Sequence, residues 1–317
     1  MELALIGFDG LDPRVIYNNE DKLPNLSEFM EDSLHGKWKT PGHTIPSFVG
    51  TVTGRNYNVV NFHWDGGKGD YQRHRQTEMD FMWDIAESSM TLLNIPVLYP
   101  PEGIDDAMVC GFLAPDGVTD TNLARPNEVQ EYLNENDYVH DVHADRTYEK
   151  LGGDGMFEHL TDIMHDRVDV AEWLINKYDS DLFYGVWSST DRWFHQCVKH
   201  GEDHIQMYKE ADKVLGDMLE ILPDGVPVIA FSDHGFAHYP ADEGVHKGHM
   251  YDGWYSINAE SVASYRDDTA NILDLFPTVM NYLEGDVPDG LKGRILLHKE
   301  EQDNQVEGRL RDLGYME

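Results

Sequence analysis

Three nearly unbroken apolar runs punctuate an otherwise mixed chain: Leu3 to Phe8, Leu182 to Trp187 and Val226 to Phe231. Runs of this length without polar alternation read as strands buried on both faces, the pattern of parallel strands in an α/β sheet. A fourth run, TLLNIPVLYPP, reads as another strand, closed by Pro100 and Pro101. Between these runs, helical segments are predicted over Leu26 to Leu34, Phe81 to Ser88, about Phe157 to Tyr178, and Ile205 to Leu222. The expected fold class is therefore α/β, a mostly parallel central sheet flanked by helices, as a single domain over residues 1–317. Residues 115–155 depart from the pattern, being polar, acidic and broken by Gly152 and Gly153, and predict a small insertion or cap. In the tail QVEGRLRDLGYME, Val306, Leu310 and Leu313 recur at helical spacing, which predicts a helix over about 302–314 docked on the core.

Each of the three runs leads into residues of metal-ligand type. Leu3 to Phe8 ends at Asp9, Leu182 to Trp187 is followed by Asp191, and Val226 to Phe231 by Asp233 and His234. Because parallel strands point the same way, residues just past their C-terminal ends collect along one edge of the sheet, where open α/β sheets bind ligands. Asp191 and His195 are four apart, so a helix puts both on one face, where carboxylate and imidazole can grip one Zn²⁺ or Mn²⁺. Each piece has a plainer reading. A D-x-x-x-H pair is common by chance, Asp233 can cap a helix beside a surface histidine, and Asp9 before Gly10 can be a turn residue. Thr44 precedes Ile45, Pro46 and a small-residue apolar segment, so it reads as a helix N-cap. That position also suits a nucleophile, because free N–H groups and the helix dipole stabilise an alkoxide and a phosphoryl oxygen. A threonine hydroxyl is too weak an acid to attack unaided at neutral pH and would need a metal.

Composition narrows the setting. Fifty-nine acids against 24 bases give a net charge of −35. Such self-repulsion opposes compaction at ordinary salt, but at molar salt the screening length falls to roughly 3 Å and the repulsion fades. A salt-accumulating halophile is the expected source, with an acidic partner-binding surface or nucleic-acid mimic as the alternative. Stable nucleic-acid binding is not expected, because neutralising phosphates takes clustered Lys and Arg. With only Cys110 and Cys197, no disulfide framework is implied. Met1 leads straight into ELALIGFDG with no signal-peptide pattern, and no apolar run approaches the roughly 18 residues of a membrane span. The protein is expected to be soluble and cytoplasmic, without a membrane partner.

The segments IGFDGLDPRVI, KLPNLSEFMEDSLHGKW, TIPSFVGTVTGRN, NIPVLYPPEGIDDAMVCGFLAPD, DLFYGVWSSTDRWFH, VPVIAFSDHGF and TANILDLFPTVMNYL occur in that order. Together they resemble the alkaline phosphatase superfamily, and within it the type I phosphodiesterase and nucleotide pyrophosphatase branch. The resemblance spans nearly the whole chain and implies an alkaline phosphatase-like fold with two divalent ions, Zn²⁺ first and Mn²⁺ second. It implies one ion held by Asp191, His195 and a third histidine, and the other by Asp9, Asp233, His234 and the Thr44 hydroxyl. The third histidine is His249 or His246; His249 fits better because Gly253 and the strand-like WYSI follow it at the family's distance. Thr44 is then the catalytic nucleophile, forming a phospho-threonine that water hydrolyses with overall retention at phosphorus. The sequence departs from the family after TGRN, where Val60 and Asn61 replace a His-Gly pair. This leaves Asn61, His63 and Asp65 as candidate substrate contacts.

The sulfatase branch needs a convertible Cys or Ser and a nearby Arg, and here the matching run is Thr44, Ile45, Pro46, Ser47 and Phe48. The function expected is metal-dependent hydrolysis of phosphate esters, either phosphodiesters or nucleotide pyrophosphates, with a small-molecule substrate. A phosphomonoesterase, or an inactive metal- or phosphate-binding protein, is the alternative, and nothing implies an oligomeric state. Trp64, Trp193, Trp254 and Tyr255 either stack on a nucleoside or pack in the core.

Overall fold

A computed structural model of the chain describes residues 1–55, 80–96, 98–111, 114, 122–238, 248–259 and 270–297. Asn61, His63, Trp64, Asp65, His246 and the helix expected over 302–314 lie outside the described residues. The strands are β1 (Leu3–Phe8), β2 (Leu34–Lys39), β3 (Met90–Leu93), β4 (Ala107–Val109), β5 (Ala124–Arg125), β6 (Leu182–Trp187), β7 (Val228–Ser232), β8 (Gly235–Phe236), β9 (His249–Met250) and β10 (Asp252–Asn258). Eight of them form one sheet in the order β2-β10-β7-β1-β6-β3-β4-β5, and β8 pairs with β9 in a separate two-stranded ribbon. The centre is parallel, with β1 between β6 and β7 and β3 between β6 and β4. β10 runs antiparallel to both β7 and β2, and β5 antiparallel to β4. The protein thus has the expected α/β fold with a mostly parallel sheet.

The helices are α1 (Pro13–Tyr17), α2 (Pro24–Glu31), α3 (Thr44–Thr53), α4 (Met82–Ile85), α5 (Asn127–Glu135), α6 (Ala144–Lys177), α7 (Ser189–His200), α8 (Ile205–Ile221) and α9 (Leu275–Glu284). They cover both faces. Ala4, Ile6 and Phe8 of β1 join a core with apolar residues of α1, α2, α6, α7 and α8, whereas Leu3 and Leu5 point into a second core with α3, α4 and α9. This is why β1, β6 and β7 carry no polar alternation: both faces of each strand are buried.

Four local predictions need correction. The helix expected to reach Leu34 stops at Glu31, and Leu34 opens β2 instead. The run TLLNIPVLYPP contributes a strand only as far as Leu93. Asn94 then adopts φ 58°, a left-handed conformation that ends the ladder, and its side-chain amide donates to Val186 O at 3.0 Å. The segment from Phe81 to Ser88 forms just the single turn α4. The expected helix from Phe157 is longer than its pattern suggested, because α6 begins at Ala144 and is kinked at Gly152, with φ 73°.

Candidate metal centre

The carboxyl ends of β1, β6 and β7 deliver the ligand-type residues to one place. Asp9 follows β1, and its N–H donates to Trp187 O at the end of β6 at 3.0 Å. Asp191 lies in the first turn of α7, directly after β6, with His195 one turn on. Asp233 and His234 follow β7, and His249 returns to them on β9, whose ladder pairs it with Phe236. Thr190 Oγ1 donates to Asp9 O at 2.5 Å and so stitches the ends of β1 and β6 together.

Two compact groupings result. The ligand atoms of Asp191, His195 and His249 lie within 4.8 Å of one another, as do those of Asp9, Asp191 and His234. Asp191 Oδ1 stands 3.2 Å from His249 Nε2, 3.4 Å from His195 Nε2 and 4.0 Å from His234 Nε2. His234 Nε2 is 3.1 Å from Asp9 Oδ1 and 3.5 Å from Asp233 Oδ2. The tighter second grouping thus contains Asp191, while Asp233 stands beside it, its Oδ1 accepting the Gly10 N–H at 3.1 Å. Thr44 Oγ1 donates to Asp9 Oδ1 at 3.2 Å and lies 3.2 Å from His234 Nε2.

The chemistry of the donors fits a cation. Asp9, Asp191 and Asp233 are each no more than 2% exposed, and Asp9 Oδ2, Asp191 Oδ1 and Asp233 Oδ2 are buried without a hydrogen bond. A buried carboxylate oxygen without a donor is costly, and three on neighbouring side chains call for nearby positive charge to stabilise them. His234 Nδ1 faces Gly235 O at 3.0 Å. A carbonyl can only accept, so Nδ1 carries the proton and Nε2 turns toward the carboxylates.

Electrostatics among the protein groups alone express the same crowding. Burial and then the neighbouring Asp191 push the Asp9 carboxyl up, and burial and then Asp9 push Asp233 well up. Burial opposes the His234 imidazolium, but Asp233, Asp9 and Asp191 outweigh it and hold its pKa up to about 10. Burial also acts against ionised Asp191, yet His195, His249 and Arg192 more than offset it and keep that carboxyl low. His249 is held down to about 3, by burial first and then by the His234 charge. His249 and Asp191 thus stand as neutral imidazole beside ionised carboxylate, the state a divalent ion requires of its ligands, whereas the His234 imidazolium supplies positive charge among Asp9, Asp191 and Asp233.

The N-terminus of α3 differs from the sequence expectation. Thr44 is the first helical residue rather than the N-cap; His43 holds the N-cap, with extended backbone and no side-chain cap bond. The helix begins one residue early because the Ser47 N–H reaches His43 O. The Thr44 hydroxyl is thereby directed toward Asp9 and His234 instead of back onto its own helix. Trp193, Trp254 and Tyr255 are at most 3% exposed and belong to the packing, so they offer no stacking face. His238 stacks on His204 with centroids 4.3 Å apart and belongs to neither grouping. The structural roles of two residues close to the centre are not evident from the sequence. Gly253 passes so near the Asp233 turn that a Cβ would lie 2.3 Å from Ser232 O. Arg192, adjacent to Asp191, donates to that carboxylate. A cavity of about 870 Å³ among α2, α8 and the start of β7 is lined by Glu28, Asp32, Glu220 and Asp224, with no imidazole among the described residues, and so stands apart from this chemistry.

Residues 3–289 match the family model described as type I phosphodiesterase / nucleotide pyrophosphatase. The chain belongs to that family. It is accordingly a hydrolase acting on phosphoric ester bonds, in a metal-dependent family, and its own candidate ligand groups accord with that. No curated protein matches the chain. Among solved structures, a Bacteroides thetaiotaomicron VPI-5482 protein described as a sulfatase superposes with a TM-score of 0.55 at 12% identity, over 93% of this chain and 73% of that one. A second Bacteroides thetaiotaomicron protein, from work on glycosaminoglycan metabolism, superposes with a TM-score of 0.52 at 15% identity, over 93% and 75%. At these identities the likeness is one of fold. Among the described residues no helix is long and apolar enough to cross a membrane.

Proposed function

We propose that the protein hydrolyses phosphodiesters or nucleotide pyrophosphates at a two-ion centre, with Thr44 as the nucleophile. The observation that carries this reading is the Thr44 hydroxyl, at the first turn of a ten-residue helix and 3.2 Å from both Asp9 Oδ1 and His234 Nε2. Asp191, His195 and His249 would hold one ion and Asp9, Asp233, His234 and Thr44 the other, Zn²⁺ by preference for its imidazole and carboxylate donors, with Mn²⁺ second. Bound there, divalent ions lower the pKa of a hydroxyl or water and offset the charge on phosphate oxygens.

Thr44 directs its proton toward Asp9 Oδ1, which leaves the Oγ1 lone pairs to face phosphorus. In-line attack forms an Oγ1–P bond as the bond from phosphorus to the leaving oxygen breaks, and the leaving oxygen takes up the proton released by Thr44. Water then displaces Oγ1 from the phospho-threonine and restores the hydroxyl, so two inversions give retention overall. The positive end of the α3 dipole favours the anionic phosphoryl group throughout. The −35 charge supports the further reading that the protein works in molar salt.

Hydrolysis of bis-p-nitrophenyl phosphate and p-nitrophenyl phosphate with Zn²⁺ or Mn²⁺, at low and molar salt, tests the proposal. The diester is expected to be cleaved faster, and chelation should abolish turnover until metal is restored. Full activity in metal-free protein would refute the two-ion centre, and a preference for the monoester would replace the diesterase reading.

A further inference from the structure

The two oxygens of Asp191 face different partners. Oδ1 faces the imidazoles of His249 and His195 at 3.2 and 3.4 Å, whereas Oδ2 accepts from Arg192 Nη1 at 3.2 Å. Arg192 is itself held by a fork: its Nε donates to Asp141 Oδ1 at 3.1 Å and its Nη2 to Asp141 Oδ2 at 2.7 Å. Side-chain exposures of 16% and 15% for Arg192 and Asp141 set this pair apart from a solvent-screened surface bridge. One turn further along, Asp145 Oδ1 accepts from Gln196 Nε2 at 3.4 Å and from Lys199 Nζ at 3.0 Å. Residues 141 and 145, at the entry to α6, therefore grip α7 at positions 192, 196 and 199, the i, i+4, i+7 stripe of one helix face.

We propose that Arg192 and Asp141 are positioning residues for the metal centre: the fork fixes the guanidinium, the guanidinium occupies Asp191 Oδ2, and Oδ1 alone is left for an ion. The inference rests on the reading of Asp191 as a ligand. Its physical basis is that a carboxylate crowded by Asp9 and Asp233 would otherwise turn to relieve repulsion. A guanidinium on its far oxygen opposes that rotation, and the bidentate bridge to Asp141 keeps the guanidinium from swinging away. A segment ahead of α6 is thereby tied to the coordination geometry of a site to which it contributes no ligand.

Cobalt(II) titration of metal-stripped protein tests this, with affinity, stoichiometry and the visible absorption spectrum as readouts and circular dichroism as the check on folding. Arg192→Met and Asp141→Asn are expected to weaken the site containing Asp191 by about 10- to 100-fold, the range typical for groups that orient a metal ligand, and to alter the spectrum. Arg192→Lys, which keeps the charge without the fork, should recover part of the affinity. Lys199→Met should behave as wild type. If Arg192→Met is folded and binds Co²⁺ with wild-type affinity and spectrum, the proposal fails. If that variant does not fold, Asp141→Asn decides by the same criterion. Failure of the wild-type protein to bind Co²⁺ would instead overturn the ligand assignment beneath it.

Discussion

The Thr44 hydroxyl donates to Asp9 and forms no bond to its own helix, so its removal separates chemistry from folding. Thr44→Ala is expected to lower kcat by more than about 10³-fold. The thermal midpoint should stay close to wild type, because no cap bond is lost and alanine is the better helix former. Near-normal kcat would remove Thr44 from the mechanism. His249 can be argued the same way from its position 3.2 Å from Asp191 Oδ1 and 3.3 Å from His195 Nε2. His249→Ala should lose about one equivalent of bound metal and most activity, while His246→Ala should lose no more than the 10- to 100-fold of a supporting group. A filled site in His249→Ala together with an empty one in His246→Ala would reverse the assignment.

β10 shows how packing of an element reaches the centre. It runs antiparallel beside β7, and its Trp254 N–H donates to Ser232 Oγ at 3.0 Å, one residue before Asp233. Gly253 makes that approach possible: an added Cβ would lie 2.3 Å from Ser232 O and 2.8 Å from Trp38 Nε1. Backbone on one side and a buried tryptophan on the other leave little room to yield. Gly253→Ala should therefore cost about 1–3 kcal/mol through overpacking, lowering the thermal midpoint by several degrees. It should also weaken metal binding, because the displaced Ser232 carries Asp233 and His234 with it. Calorimetry and metal titration on the one variant check both, and unchanged affinity despite lost stability would uncouple β10 from the centre.

Net charge belongs to the molecule as a whole. A charge of −35 over 317 residues is destabilising wherever it is unscreened, and partly exposed ion pairs such as Lys37–Asp252, Lys177–Glu128, Lys199–Asp145 and Lys213–Glu210 offset little of it. The thermal midpoint is expected to climb steeply from low salt into molar KCl as the screening length contracts from about 10 Å toward 3 Å. A flat profile in a melting series would refute salt adaptation and favour a specific acidic interface.

The parallel strands were legible in the chain because burial on both faces abolishes alternation, and β1, β6 and β7 lie where the apolar runs stand. Asp9, Asp191, Asp233 and His234 were legible for a related reason: strand direction brings residues more than 180 positions apart to one edge. Helical spacing puts His195 on the same face as Asp191, as the sequence implied. Other features depend on contacts between segments that no local pattern encodes. The start of α3 at Thr44 depends on the Ser47 N–H reaching His43 O, and the end of β3 on Asn94 taking a left-handed turn to reach Val186. The buried state of Trp193, Trp254 and Tyr255 is likewise invisible in sequence, because an aromatic near a site residue along the chain can point to either side of its backbone. Arg192 carries a local signal only in standing next to Asp191. Its partner Asp141 lies 51 residues away, and the bond between them exists because α6 and α7 pack side by side.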